Sequence, residues 1–208
     1  GLSRTEVSKG TGIALGGQLS NVLRVLEASD FIECYKPFEN DKRHMCYRLI
    51  DPFCKFYLNN VDGKNREEHF WQNNENLPVL NTWRGYAFED ACLKHVKQLK
   101  NALNVGGVSS ENSAWTLKGR EERKGMQIDL IINRKDRVVN LCEMKFVKDE
   151  FTVTNDYEQL LRSRISWVTE HVSRRHNVQM TLVTTFGLKY GIHSGIFQKV
   201  VTLDSLFE

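Results

Sequence analysis

Two neighbouring apolar segments, each with one carboxylate inside it, constrain the fold of this chain more than any other feature. Residues 126–132 and 138–146 are rich in Ile, Leu, Val and Met and flank the charged turn 133–136, so they predict an antiparallel strand pair. Asp129 and Glu143 are each seven residues from the last residue of that turn, which sets them opposite each other. Because a charge in a buried strand is costly unless it is paired or binds a metal, this arrangement predicts a functional cluster.

The residue types in this cluster suit phosphate chemistry. Glu143 and Lys145 project from one face of their strand, so two carboxylates and an ammonium meet near one end of the hairpin. We predict Asp129 and Glu143 as ligands of Mg²⁺ or Mn²⁺, which bind oxygen donors, and Lys145 as a catalytic group that polarises water or binds phosphate. A solvent-exposed cross-strand salt bridge, worth only about 0.2–1 kcal/mol, would explain the same pattern without any function.

Two predicted helices carry further candidates for the same site. Glu89 lies on the polar flank of a helix predicted from Arg84 to Leu103, and it would complete the metal site. Gln159 and Arg162 share a polar face of a second helix, predicted from Asp156 to Arg175, and we predict that they contact phosphate or metal-bound water. The alternative for all three is an ordinary solvated position on a helix surface.

Basic residues elsewhere are weaker indications of nucleic-acid binding. The run 118–125 holds Lys and Arg but also two glutamates, which favours a solvated loop over a surface that follows a phosphate backbone. Arg164, Arg174 and Arg175 would extend a phosphate track together with Arg162, although arginines are common on helix surfaces. Tyr157 is predicted to pack in the core, on the apolar side of its helix.

The first sixty residues predict a winged helix-turn-helix module. A capping box at Ser3 begins one helix, a second helix follows Gly17, and strands at 31–35 and 44–49 form a hairpin. Such a module normally has one more helix at its start, so we expect this chain to be part of a longer protein. A set of polar side chains on the second helix is predicted to contact DNA, with a structural or protein-docking role as the alternative. These residues are Gln18, Asn21 and Arg24.

The order of elements after this module predicts a mixed α/β (α+β) fold. Residues 61–80 form a polar connector, and residues 81–208 give a helix, strands, a helix and further strands. The segment Met180–Thr185 is almost continuously apolar, as expected for a strand that is covered on both faces. We therefore expect a winged helix at 1–60, a connector at 61–80 and a mixed sheet flanked by helices at 81–208.

Composition excludes several classes of protein. The chain has five cysteines but no C-x-x-C pair, which argues against a disulfide framework or a four-ligand zinc site and for reduced thiols. No run of about eighteen apolar residues and no secretory leader is present, so we expect a cytoplasmic protein without a membrane segment. The net charge of +3 permits nucleic-acid binding without requiring it.

The spacing of the charged cluster resembles the signature of a known superfamily. Asp129, a thirteen-residue gap and then Glu143-x-Lys145 are similar to the PD-(D/E)xK motif of restriction-endonuclease-like domains, with Ile128 in place of the usual proline. Segments 48–53 and 85–89 further resemble the C-terminal region of archaeal-type P-loop ATPases, in which a winged helix precedes a nuclease-like domain. The resemblance implies an upstream ATPase domain, because no G-x-x-x-x-G-K-[ST] motif and hence no ATP site is present here.

These observations lead to three competing functional hypotheses. The first is a metal-dependent DNA endonuclease that hydrolyses phosphodiester bonds, with DNA, the ATPase domain and a second copy of the chain as partners. The second is a catalytically silent nuclease-fold scaffold whose winged helix binds DNA or protein. The third is a defence or toxin-like effector that acts on another protein. Substrate preference, metal identity, coupling to ATP and oligomeric state stay open.

Overall fold

A computed structural model describes residues 1–38, 45–63, 68–73, 77–117 and 126–208, and the chain forms two compact units, Gly1–Ala87 and Phe88–Glu208. The predicted boundary at Asn81 therefore falls inside the first unit, within a helix that crosses the division. The hairpin residues Lys42 and Arg43 and the basic run 118–125 lie outside the described residues.

The first unit is a set of short helices with a small antiparallel sheet. Ser3 caps the first helix through a capping box with Glu6, and Gly12 ends it in a left-handed conformation at φ 72°. Asp51 caps a later helix by accepting the Cys54 N–H. The elements are β1 (Leu2–Ser3), α1 (Arg4–Thr11), α2 (Gly17–Ala28), β2 (Ile32–Tyr35), β3 (Cys46–Leu49), α3 (Pro52–Asn60) and α4 (Phe70–Asn73).

The sheet of the first unit contains one strand that periodicity does not predict. The strand β1 has only two residues, and it pairs antiparallel with β3, giving the order β1-β3-β2. A two-residue segment cannot display an alternating pattern, so only its pairing partner makes it recognisable. The hairpin itself agrees with the sequence prediction, with Cys34 opposite Tyr47 in its register.

The second unit is built on a five-stranded mixed sheet, and the predicted mixed α/β class is confirmed. The strand order is β4-β5-β6-β7-β8, with antiparallel pairs from β4 to β6 and parallel pairs from β6 to β8. Its elements include two 3₁₀ turns, Ser194–Ile196 and Asp204–Leu206. The others are α5 (Pro78–Lys94, which enters from the first unit), α6 (Val96–Ala102), β4 (Ser110–Leu117), β5 (Met126–Arg134), β6 (Val138–Lys145), α7 (Asn155–His171), β7 (Asn177–Thr184) and β8 (Lys199–Thr202).

The predicted continuous helix from Arg84 to Leu103 is wrong in two respects. Helix α5 already begins at Pro78, and His95 interrupts the helical path between α5 and α6 with φ −108° and ψ 28°. The His95 Nδ1 atom lies 2.8 Å from the Ala91 carbonyl oxygen, and this contact competes with the regular backbone pattern. An apolar stripe continues across such a break, which is why periodicity alone misses it.

The central hairpin of the sheet is almost completely buried. Ile131, Ile132, Leu141 and Cys142 have no exposed surface, as expected for strands that are covered on both faces. One face packs against α5 and α6 in a continuous apolar core, and the other face meets α7. No helix within the described ranges is both long enough and apolar enough to cross a membrane.

Candidate functional site

A β-bulge in strand β5 positions Asp129. The pairs Ser113↔Ile131 and Trp115↔Ile128 flank a shift of register, so Asp129 and Leu130 together oppose the single residue Ala114 of β4. A bulge of this kind bends its strand and changes the direction of the side chains within it. This local irregularity lies at the end of the recorded β5–β6 ladder, and bulges are over-represented next to active sites.

Asp129 and Glu143 lie immediately beyond the last pair of the β5–β6 ladder. The β5–β6 register runs from Asn133↔Val139 to Leu130↔Cys142, and beyond it the Met144 N–H donates to Asp129 Oδ2 at 3.0 Å. The register agrees with the turn-centred spacing, and Glu143 is close enough to Asp129 for its charge to raise the pKa of Asp129. Both side chains are buried, with exposed fractions of 9% for Asp129 and 1% for Glu143.

Glu143 is held by three donors, two of which come from helix α7. Its Oε1 atom accepts a hydrogen bond from the Tyr157 hydroxyl and lies 2.9 Å from Lys145 Nζ. Its Oε2 atom accepts a hydrogen bond from Arg164 Nη1. Two cations and a neutral donor thus offset the cost of burying this carboxylate.

Asp129 has weaker compensation than Glu143. Its Oδ2 atom accepts the Met144 backbone N–H at 3.0 Å, and its Oδ1 atom accepts from Gln127 Nε2 at 3.3 Å. Burial is the main cause that raises the pKa of Asp129 to about 7, and the negative charges of Glu143 and Glu89 raise it further. The bond from Met144 and the Lys145 ammonium oppose this rise but do not cancel it.

Tyr157 forms a bridge between Glu143 and the loop that follows β6. Burial, followed by the charge of Glu143, raises the pKa of the Tyr157 hydroxyl, so the group keeps its proton and acts as a donor. Lys145 Nζ lies 5.5 Å from the Tyr157 ring centroid, and Phe151 packs edge-on at 5.6 Å. The lysine is the accessible member of the cluster, with 35% of its side chain exposed.

Two buried polar atoms near this cluster have no hydrogen-bond partner within the described part of the chain. They are Arg164 Nε and Thr184 Oγ1. Thr184 pairs with Lys145 in the parallel β6–β7 register, and Arg164 contacts Glu143 directly. Because buried polar atoms are nearly always paired, such atoms commonly mark the place of a bound water or ligand.

Two thiols beside Asp129 belong to the apolar core. Burial raises the pKa of Cys92 to about 12 and also raises the pKa of Cys142, with the negative charge of Asp129 adding to both. A thiol with a raised pKa stays protonated and is a poor nucleophile or metal ligand. The reactive groups of the site are therefore its carboxylates and its amine.

The other predicted site residues take different positions. Glu89 on α5 is half-buried and close enough to Asp129 to raise its pKa. Gln159 and Arg162 are exposed on α7, and Arg162 Nε donates to Glu158 Oε1 at 2.9 Å. In the first unit, a set of exposed residues lies on α2, with Arg24 Nη2 donating to Asn21 Oδ1 at 2.9 Å. This set is Gln18, Asn21 and Arg24.

The contacts of Tyr157 and Arg164 with Glu143 are absent from the sequence prediction. Periodicity predicts Tyr157 as core packing and Arg164 as a helix-surface arginine, yet both reach the buried carboxylate. One sequence signal for Arg164 exists, because it falls on the same helical stripe as the buried Leu161 and Val168. A cation on the apolar stripe of a helix indicates a buried acidic partner.

Asp129 is the donor of this cluster that suits a divalent cation best. Asp129 is a carboxylate whose pKa is raised by burial and by two neighbouring acids, and a bound cation would relieve that repulsion. Glu143 Oε2 accepts from Arg164, while Oε1 already faces two donors. No group of three or more His, Cys, Asp or Glu side chains that would hold a metal is found in the described ranges. Mg²⁺ is commonly bound through one or two carboxylates and keeps several waters.

Comparison with known proteins adds little to this geometry. No protein-family model and no curated protein matches the chain. A crystal structure described as a protein of unknown function, AF1548, is similar with a TM-score of 0.37 and 13% sequence identity. The match covers 55% of this chain and 64% of that one, so the chain spans less than two thirds of its neighbour's length. A likeness of this degree carries no argument about fold or function.

Proposed function

We propose that the second unit is a metal-dependent phosphodiesterase that acts on DNA. The observation that carries the proposal is the ion pair of Glu143 with Lys145 at 2.9 Å, beside a buried Asp129 whose pKa responds to the charges of both. Three further features support it. They are the raised pKa of Asp129, the arginine on Glu143, and the polar atoms of Arg164 and Thr184 that lack a partner among the described residues.

We also propose finer fold assignments for the two units. In the first unit, the order strand–helix–helix–strand–strand, with β1 joined to the hairpin, supports a winged helix. In the second unit, a meander of three strands followed by a helix and two parallel strands supports a restriction-endonuclease-like sheet. The exposed polar face of α2 would then contact the DNA that the second unit cleaves.

Each residue of the cluster has a separate role in this proposal. Asp129 and Glu143 would hold Mg²⁺ or Mn²⁺, with Glu89 acting through a water ligand. A bound cation would lower the pKa of a water ligand and offset the negative charge that develops on the phosphate. Lys145 would donate to a phosphate oxygen, since its ammonium is the accessible group of the site. Tyr157 and Arg164 would orient Glu143 from α7.

Nicking of a supercoiled plasmid tests the proposal. The full chain is incubated with Mg²⁺ or Mn²⁺ beside the variants Glu143→Gln and Lys145→Ala, and Glu170→Gln serves as a matched control with an exposed acid on α7. We expect nicking by the wild type and the control, and a loss of about a hundredfold or more in both site variants, as when one electrostatic catalytic group is removed. Nicking that survives Glu143→Gln would contradict the assigned site.

One observation favours a second candidate, a catalytically silent scaffold. Lys145, Tyr157 and Arg164 already satisfy the Glu143 carboxylate, as in a structural ion cluster. A scaffold predicts that the chain binds duplex DNA in gel-shift experiments but cleaves it with neither metal. It also predicts that Glu143→Gln leaves this binding unchanged.

A further inference from the structure

The loop between β7 and the following 3₁₀ turn presents large apolar side chains to solvent. Phe186 is 60% exposed, Tyr190 is 87% exposed and Ile192 is 97% exposed. We call residues 186–192 the apolar loop. Exposed apolar side chains are ordinary when they are scattered singly, but three within seven residues indicate an interaction surface.

The apolar loop is fixed by hydrogen bonds to a neighbouring segment. The Phe151 N–H donates to the Gly187 carbonyl at 2.8 Å, and the Lys189 N–H donates to the Phe151 carbonyl at 2.9 Å. Gly187 adopts φ 112°, a conformation that side chains rarely allow, and Gly191 N–H donates to Ser194 Oγ at 3.1 Å. These bonds hold the loop backbone in place while its largest side chains remain in solvent, which lowers the entropy lost on binding.

A series of contacts joins the apolar loop to the cluster of Asp129, Glu143 and Lys145. Strands β6 and β7 are parallel, so Lys145 and Thr184 are paired at the same edge of the sheet, where the loop begins. Phe151, which holds the loop, packs on Tyr157, and Tyr157 donates to Glu143. The loop is therefore linked to the proposed site of phosphate cleavage through Phe151 and Tyr157.

The apolar loop lies in a basic stretch of the sequence and carries a cation of its own. Residues 171–203 contain no Asp or Glu but include four Lys or Arg residues and three of the six histidines. Lys189 lies inside the apolar loop and is exposed. Arg174 and Arg175 precede β7 whereas the loop follows it, and Glu158 Oε2 lies 2.6 Å from His193 Nδ1 next to the loop, so Lys189 is the cation that accompanies the aromatic rings. Exposed aromatic rings beside a cation are the combination that binds single-stranded nucleic acid through stacking and phosphate contacts.

We propose that the apolar loop is a stacking platform for unpaired bases of a single-stranded nucleic acid. Tyr190 and Phe186 would stack on bases, and Ile192 would pack against an exposed base edge or sugar. Lys189 would contact the phosphate backbone. The role of this platform in presenting a scissile bond to Lys145 rests on the proposed function, whereas its binding of single strands does not.

Fluorescence anisotropy with labelled oligothymidine tests the platform. The full chain is titrated in EDTA, so that no cleavage occurs, beside Tyr190→Ala, Tyr190→Phe and a control, Phe207→Ala, whose aromatic ring is 67% exposed elsewhere in the unit. We expect Tyr190→Ala to raise the Kd about 5- to 150-fold, which corresponds to ~1–3 kcal/mol for one stacked base. Tyr190→Phe should restore the wild-type Kd, because it keeps the ring, and Phe207→Ala should leave it unchanged.

A base analogue tests whether bases stack on Tyr190, and a lipid control tests whether the loop binds a membrane instead. Stacking on Tyr190 should quench 2-aminopurine placed in the oligonucleotide, and Tyr190→Ala should remove the quenching. An unchanged Kd in Tyr190→Ala, or no binding of oligothymidine by the wild type, would overturn the proposal. The proposal would also be overturned if Tyr190→Ala lost binding to phosphatidylcholine vesicles but not to oligothymidine. That result would assign the loop to a membrane. Loop-dependent binding without any nicking in the plasmid assay would retain the platform and overturn the hydrolytic function.

Discussion

The two faces of the five-stranded sheet are made from alternate residues of the same strands, yet their chemistry differs. Cys142 and Met144 point into an apolar core with α5 and α6. Glu143, between them, points to α7 and meets Tyr157 and Arg164. Strand geometry makes this possible, because successive side chains project to opposite faces.

This contrast separates a face that stabilises the unit from a face that carries the proposed chemistry. The apolar face gains free energy from burial that needs no specific partner, at roughly 25 cal/mol for each Å² removed from water. The face toward α7 holds a buried carboxylate that is tolerable only with its cations in place. Asp129 lies where the two meet, since its electrostatic neighbours include Glu143 and also Glu89 and the Cys92 thiol.

Removal of Arg164 should have the strongest effect, and it challenges a simple division in which only the apolar face stabilises the fold. Arg164→Ala leaves the Glu143 carboxylate buried without its Oε2 partner, and we expect a loss of about 3–5 kcal/mol in the free energy of unfolding. Urea unfolding measures this loss. Arg162→Ala, at an exposed arginine of the same helix, is the control and should change the free energy of unfolding by less than about 0.5 kcal/mol. A loss below about 1 kcal/mol for Arg164→Ala would mean that Lys145 and Tyr157 are enough to stabilise the buried Glu143 carboxylate.

A cavity on the apolar face should lower stability and leave the chemistry intact. Leu99 on α6 has no exposed surface, so Leu99→Ala should cost about 2–5 kcal/mol. Thermal unfolding measures this cost. Leu58→Ala is the control, because the Leu58 side chain is 58% exposed and its removal should leave no cavity. Nicking activity per folded molecule should equal that of the wild type, and a further loss of activity would show that the two faces are coupled.

The pH dependence of stability tests the position of Asp129 between the faces. Between about pH 4 and pH 7 the folded chain keeps a proton that the unfolded chain releases, so the free energy of unfolding falls as the pH rises through this window. The total loss is at most ~4 kcal/mol. Asp129→Asn removes this titration, and in EDTA it should match the wild type near pH 4 and exceed its stability above pH 7. Parallel stability curves would contradict the raised pKa.

The weakest of these effects concerns the neutral donor on Glu143. Tyr157→Phe removes a hydrogen bond to a buried carboxylate, and we expect a loss of ~1.5–3 kcal/mol in unfolding free energy. Tyr190→Phe, at a hydroxyl that is exposed, is the matched control and should change stability by less than about 0.5 kcal/mol. Equal stability of the two variants would show that Arg164 and Lys145 alone satisfy the carboxylate.

Much of the sheet and part of the candidate site can be predicted from local pattern. The apolar runs around residues 133–136 predict the β5–β6 hairpin, and equal spacing from the turn predicts its register, as in the pair Leu130↔Cys142. The same periodicity predicts α7, which is found at Asn155–His171. These predictions succeed because strand and helix periods are properties of neighbouring residues.

Features that depend on distant partners could not be predicted in this way. The bulge at Asp129 exists through its pairing with β4. Arg164 reaches Glu143 across 21 residues of chain, and Tyr157 reaches it across 14. No local rule specifies which side of a long helix faces a given strand end.

The order of residues along the chain is enough to specify the strand pair, its register and the side of β6 on which Glu143 and Lys145 lie, because these follow from alternation and turn position. The groups that surround these side chains are specified by the folded chain alone. Burial beside two acids raises the pKa of Asp129 to about 7, and the packing of α7 places Tyr157 and Arg164 on Glu143. Burial and charge proximity are three-dimensional quantities, and they become defined when the helix packs on the sheet.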